Sequence, residues 1–132
     1  MNVLFIEDDM IETMKLQRAI SKFESKHVIV EAKNGEEALT ILNEGNLPDI
    51  ILLDLNMPRM SGIEFLNILK SDARLKYLPT IILTTSENRV DLLRCFEIGI
   101  AGYIIKPLKY EDYERKLKRV FDYWEISELI KA

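Results

Sequence analysis

The sequence predicts an α/β fold, a parallel sheet of five strands with helices on both faces. Three observations predict it. Five short runs rich in Val, Ile, Leu and Phe recur along the chain, nearly continuous rather than alternating, as strands covered on both faces require. Between them lie stretches whose apolar residues fall three or four apart, the helical period. Gly, Asn and Pro punctuate the borders. Strands that alternate one by one with helices must run parallel, because each crossover returns the chain to the same edge of the sheet.

The strand runs are 2–6, 27–31, 49–53, 80–83 and 102–105. The first helical stretch carries Ile11, Met14, Leu16 and Ile20 on its apolar side. The second carries Ala38, Leu39 and Leu42; it opens on Asn34, a good N-cap, with Glu36 and Glu37 in the first turn, where the helix dipole favours acids. Gly45, Asn46 and Pro48 close it. Ile63, Leu66 and Leu69 mark the third helix, after which Pro79 leads into the fourth strand. Leu92, Cys95, Phe96 and Ile98 mark the fourth, and Gly99 and Gly102 bracket the turn into the fifth strand. A last helix is expected from about 109 to 131, roughly 35 Å long at about 1.5 Å per residue. Its stripe of Tyr110, Tyr113, Leu117, Val120 and Trp124, widened by Phe121, alternates spacings of three and four. Strands of five residues span only about 17 Å. Trp124, Ile126, Leu129 and Ile130 are therefore expected to project past the sheet and need another cover.

Composition removes several functions. The 132 residues suit one domain and leave no room for two ordinary ones. Acids outnumber bases 22 to 18, a net charge of −4 that argues against a dedicated nucleic-acid binder. Arg115, Lys116, Lys118 and Arg119 read as a solvated helix face, because Glu111, Asp112, Glu114, Asp122 and Glu125 surround them. Cys95 is the sole cysteine, so an internal disulfide or a multi-thiolate zinc site is excluded; it reads as core filler. His27 is the sole histidine, which excludes zinc sites needing two imidazoles. With no acid at motif spacing, it reads as an ordinary strand-edge residue. The aliphatic stretches are too short to cross a bilayer, and residues 1–9 do not form a signal peptide. The expectation is one cytoplasmic domain over 1–132, with no membrane and no nucleic-acid partner.

The informative residues sit at the strand ends. Glu7 and Asp8 follow the first strand, Asp54 the third and Lys106 the fifth, while Thr84 ends the fourth. The second strand offers only Glu31. In a parallel sheet the C-terminal ends share one edge, and ligands bind in the crevice there. Three carboxylates gathered in one place raise one another's pKa unless a cation neutralises them. An all-oxygen donor set with room for water suits Mg2+. Lys106 adds a positive point charge and Thr84 a hydroxyl donor, both suited to a phosphoryl group. A carboxylate beside Mg2+ and facing a lysine can act as a nucleophile and become an aspartyl phosphate. Asp54, at the central strand with Met57-Pro58 and Ser61-Gly62 behind it, is the better candidate. Asp9 reads as a helix cap.

Together these residues resemble the site of two-component response-regulator receiver domains. Glu7-Asp8, Asp54, Thr84 and Lys106-Pro107 match in order, and the stretch Leu53-Asp54-Leu55-Asn56-Met57-Pro58 with Ser61-Gly62 is similar to the family's phosphoacceptor signature. The resemblance covers roughly residues 2–122. It implies a flavodoxin-like (βα)5 sheet in the order 2-1-3-4-5. It implies a stand-alone regulator whose Asp54 accepts a phosphoryl group from a sensor histidine kinase or phosphotransfer protein, with no output domain after the last helix and no catalysis beyond its own phosphorylation and dephosphorylation. Mg2+ would be held by Asp8, Asp54 and the backbone carbonyl of Asn56, with Glu7 reached through water. Thr84 and Tyr103 would act as the switch, changing the face of the fourth helix, fifth strand and fifth helix that meets a downstream protein target. Thr85, after the switch threonine, departs from the smaller residue more usual there. The aromatic tail is similar to that of phytochrome-associated single-domain regulators, and implies a symmetric homodimer through the fifth helix. Two other functions compete. A small Mg2+-dependent aspartyl-nucleophile phosphatase would ordinarily carry Asp-x-Asp after the first strand and a cap domain, against Glu7-Asp8-Asp9 here. An adaptor that works without phosphorylation would not need Asp54, Thr84 and Lys106 intact.

Overall fold

The computed structural model describes residues 1–130. The elements alternate throughout: β1 (Asn2–Ile6), α1 (Met10–Ile20), β2 (Val28–Ala32), α2 (Gly35–Asn43), β3 (Ile50–Leu53), α3 (Gly62–Ser71), β4 (Thr80–Thr84), α4 (Arg89–Ile98), β5 (Gly102–Ile105) and α5 (Tyr110–Glu125). All strand pairs are parallel, and the order is β2-β1-β3-β4-β5. This is the flavodoxin-like arrangement, in which the chain reverses its direction of winding after β2 and leaves a crevice between β1 and β3.

Near-continuous apolar runs in β1, β3 and β4 serve both faces at once. Leu4, Ile6, Ile51, Leu53 and Ile82 point into a core closed by α2 and α3, with Cys95 of α4. Val3, Phe5, Ile50, Leu52, Ile81 and Leu83 point into a second core closed by α1 and α5. Successive strand residues face opposite ways, so a strand buried on both sides has no polar positions to spare. The edge strands depart from that expectation. Val28 and Val30 of β2 are exposed, and β5 is only half-buried along its length, because each edge lacks a neighbour on one side.

Helix ends follow their side chains. Asp9 caps α1 through Ile11, Asn34 caps α2 through Glu37, Ser61 caps α3 through Glu64, and Asn88 caps α4 through Val90. The apolar stripe of α1 is narrower than its sequence suggests. Leu16, Ala19 and Ile20 are buried, whereas Ile11 and Met14 lie on the exposed side. Phe96 of α4 is likewise exposed, with Cys95 the buried residue of that helix.

Two readings of the C-terminal region are corrected. The helix expected to reach 131 ends at Glu125; residue 131 lies outside the described residues. Beyond Glu125 the Ser127 hydroxyl donates to the Tyr123 carbonyl at 2.8 Å, and the Ser127 N–H turns back to Trp124, so local bonds satisfy the last carbonyls instead of another helical turn. A helix of 16 residues spans about 24 Å, and Trp124 therefore stays over the sheet, half-buried against the second core beside Val120. Ile126 and Ile130 do remain uncovered. His27 also differs from an ordinary edge residue. Its ring lies edge-on to Phe121 at 4.8 Å, and its Nε2 meets Glu125 Oε1 at 2.9 Å, with the side chain 1% exposed. The acid comes from the far end of α5, where no spacing motif could reveal it.

Candidate functional site

Backbone ladders extend one residue past each strand and place the site. The Glu7 N–H donates to the Ala32 carbonyl at 2.9 Å, the Asp54 N–H to Ile6 at 3.1 Å, and the Lys106 N–H to Thr84 at 2.8 Å. Residues distant in sequence are thereby fixed at one edge by the same parallel pairing that builds the sheet. Their side chains line one acidic pocket, formed by Glu7, Asp8, Asp9, Glu12, Asp54, Asn56, Thr85 and Lys106. Carboxylate oxygens of Glu7, Asp8 and Asp54 lie within 4.8 Å of one another. Glu7 and Asp54 are buried, while Asp8 is exposed at the mouth.

Lys106 is the cation of this pocket. Its Nζ donates to Glu7 Oε1 at 2.9 Å and lies 3.4 Å from Glu12 Oε2. Burial pushes the Glu7 carboxyl up to about 7, against the pull of Lys106. Burial raises Asp54 as well, opposed by Lys106 and by the backbone N–H of Asn56. Burial acts to lower Lys106, yet the carboxylates of Glu7, Glu12 and Asp54 outweigh it and hold the ammonium above its ordinary value. The pocket therefore carries more negative charge than one lysine can neutralise. An all-oxygen, carboxylate-rich cleft open at Asp8 fits a hard divalent cation that retains some of its water.

The loop behind Asp54 is shaped for close approach. Gly62 opens α3 directly over it, and a Cβ there would lie 2.5 Å from the Asp54 carbonyl oxygen and 2.7 Å from Leu55 Cα. Arg59, at φ 65°, turns the loop in the left-handed region. Glycine at 62 is thus a condition for the chain to fold back beneath the carboxylate.

Thr84 and Tyr103 meet at a different place. Thr84 is fully buried at the end of β4, and it is Thr85 that lines the pocket. The Thr84 hydroxyl oxygen accepts the Ser86 N–H at 3.2 Å, and the Tyr103 hydroxyl donates to the Ser86 carbonyl at 3.1 Å. Both hold the same residue, one from each side. Of the residues expected at the site, Glu7, Asp8, Asp54, Asn56 and Lys106 line this one pocket. Sequence reasoning missed Glu12, which sits in the first turn of α1 and joins the site through Lys106.

The family profile of the response regulator receiver domain matches residues 3–118. This chain belongs to the response-regulator receiver family, and so to two-component signalling. It is 35% identical over 127 residues to a probable methanogenesis regulatory protein, FilR2, of Methanothrix harundinacea, covering 92% of this chain and 82% of that protein. Among solved structures it is similar to the phosphorylated cyanobacterial phytochrome response regulator RcpA, at 29% identity and a TM-score of 0.91, over 97% of this chain and 96% of the other. It is also similar to the Mn(2+)-bound form of response regulator Rcp1, at 26% identity and a TM-score of 0.90, with 98% of each covered. No helix among the described residues is long and apolar enough to cross a membrane.

Proposed function

We propose that this chain is a phosphorylation-switched signalling regulator that accepts a phosphoryl group on Asp54 from a sensor histidine kinase or a phosphotransfer protein. The observation that carries this reading is the convergence of Glu7, Asp8 and Asp54 within 4.8 Å around a site whose one lysine, Lys106, is itself buried. An Asp54 carboxylate oxygen forms the new O–P bond as the P–N bond of a phosphohistidine breaks, and the departing imidazole takes a proton from solvent. Asp8, Asp54 and the Asn56 backbone carbonyl would hold Mg2+, with Glu7 behind a water. The bound ion would offset charge on the phosphoryl oxygens. Lys106 supplies a further positive charge, and hydrolysis by water later frees Asp54. The chain promotes only its own phosphorylation and dephosphorylation, with no turnover of an outside substrate.

The shared grip on Ser86 supports a route from Asp54 to the surface. Phosphoryl oxygens on Asp54 accept from the Thr84 hydroxyl, and turning the side chain toward them draws its oxygen away from the Ser86 N–H that it now accepts. If Thr84 turns, Ser86 loses one holder, and the carbonyl that Tyr103 grips moves with the loop. The switch is a shift between two populations, biased by differential bonding at Thr84. The downstream protein target would read the α4–β5–α5 face. A second copy of the chain could cover Tyr123, Ile126 and Ile130, which are exposed at the end of α5. Sedimentation at tens of micromolar is expected to give a dimer, and a monomer with and without phosphorylation contradicts that part.

The experiment for the phosphoacceptor is incubation with Mg2+ and acetyl phosphate, read by intact mass. One phosphoryl group is expected, at Asp54. Labelling that needs no divalent ion would contradict the reading.

A further inference from the structure

Glu12 stands apart from the acids that the phosphoacceptor reading uses. It lies on the first turn of α1, its Oε2 is sealed from solvent, and that oxygen makes no hydrogen bond. Its ionic partner is Lys106, 3.4 Å away, a distance and alignment that leave the charge attracted but not hydrogen-bonded. The other oxygen, Oε1, faces Lys15 at 3.7 Å. Lys106 is thus held from the β1–α1 side by two glutamates, and forms its ion pairs with Glu7 and Glu12 rather than with Asp54. A buried carboxylate oxygen without a hydrogen bond is costly, and what offsets that cost here is the charge of Lys106.

We propose that Glu12 is a positioning residue for phosphoryl transfer: it shares the Lys106 ammonium with Glu7 and holds it back from Asp54 until a phosphoryl group arrives. The inference rests on the phosphoacceptor reading above and assigns a rate-setting role within it. The transition states for phosphorylation and for hydrolysis both place charge on phosphoryl oxygens near Asp54, and Lys106 must reach across to meet it. Every interaction that keeps Lys106 on the glutamate side in the ground state is lost at that moment and adds to both barriers. Removing the Glu12 charge therefore speeds the two reactions together and changes the steady level of phosphorylation little. Glu7 continues to anchor the lysine, so the gain is limited.

The test compares Glu12→Gln with wild type and with Asp112→Asn. Asp112 carries the same charge but lies half-exposed on α5, outside the acidic pocket, with Arg115 at 3.1 Å as its ionic partner. At saturating Mg2+ and with acetyl phosphate as donor, Glu12→Gln is expected to raise both the phosphorylation rate and the rate of aspartyl-phosphate loss about fivefold, which is about 1 kcal/mol at ~1.36 kcal/mol per decade. Asp112→Asn should leave both within about twofold. In the unphosphorylated protein, the NMR correlation of the Lys106 Cε–Hε group should move in Glu12→Gln and stay in place in Asp112→Asn, a readout that needs no phosphoryl chemistry. Equal rates in Glu12→Gln and wild type, slower rates, or the same acceleration in Asp112→Asn would each overturn the role of Glu12. Failure of the wild-type protein to label at Asp54 would instead overturn the reading on which the role rests.

Discussion

The two ends of the sheet treat buried polar groups in opposite ways. At the N-terminal end, Asp49 accepts the Asn2 N–H at 2.7 Å, and His27 sits between aromatic rings with Glu125 on its Nε2. Ser25 donates to the other oxygen of Glu125 at 3.2 Å. Each of these groups meets a complementary partner, and together they tie β2 and α5 to the sheet. At the C-terminal end, three carboxylates crowd within 4.8 Å, one oxygen of a fourth, Glu12, lacks a hydrogen bond, and one ammonium is shared by Glu7 and Glu12. The lesson is that partnered burial serves the fold, and crowded burial of like charge marks the place where something else must bind.

The largest effect on stability should therefore come from the quiet end. His27→Ala opens a cavity against Phe121 and strands Glu125, and should cost roughly 3 kcal/mol in denaturant unfolding while Asp54 still labels fully. Loss of labelling without loss of stability would erase the distinction between the two ends. The pH dependence sharpens it further. Burial holds His27 below its ordinary 6.5, so the native state binds its proton less readily than the unfolded chain. Stability from this group is complete above about pH 6.5 and is lost as pH falls below it.

Glu7 has the opposite sign. Its carboxyl is raised from 4.5 to about 7, so the native state binds the proton more tightly than the unfolded chain does. In the absence of divalent ions, its contribution is present at low pH and declines as pH rises from about 4.5 toward 7. Glu7→Gln should remove that decline, and Mg2+ affinity of the wild type should grow through the same window. A stability profile in Glu7→Gln that still falls over this range would place the proton elsewhere.

How much of this was legible in sequence follows from what each feature depends on. β1, β3 and β4 were clear because burial on both faces leaves an unbroken apolar run, and the acids and lysine after them were clear because strand ends share an edge. Glu12 was missed because a single acid inside a helix reads as a solvated face, and only the reach of Lys106 gives it meaning. The pairing of His27 with Glu125 spans almost the whole chain and has no local signature. The end of α5 was misjudged because the apolar period continues through Ile126 and Leu129, while the helix itself stops at Glu125. Tyr103 was expected to move with Thr84; their common hold on Ser86 could be found only in three dimensions.

The smallest effect on stability belongs to Thr84→Ala, about 1–2 kcal/mol, because it removes a buried methyl and one hydroxyl that accepts a backbone N–H. Its consequence should be confined to the switch. The variant should accept phosphate at Asp54 and lose the phosphorylation-dependent change in the Tyr103 ring resonances. A full wild-type change in that variant would separate Tyr103 from Thr84 and leave the Ser86 contact as packing.

The most direct measurement is the intact mass of the wild-type protein and of Asp54→Ala after incubation with acetyl phosphate, with and without Mg2+. The crowded end of the sheet is a phosphoryl-accepting site if the wild type gains one phosphoryl mass in the presence of Mg2+, and if neither the metal-free protein nor Asp54→Ala gains any. A phosphoryl group that persists in Asp54→Ala, or a wild-type protein that stays unmodified at saturating donor and metal, would contradict it.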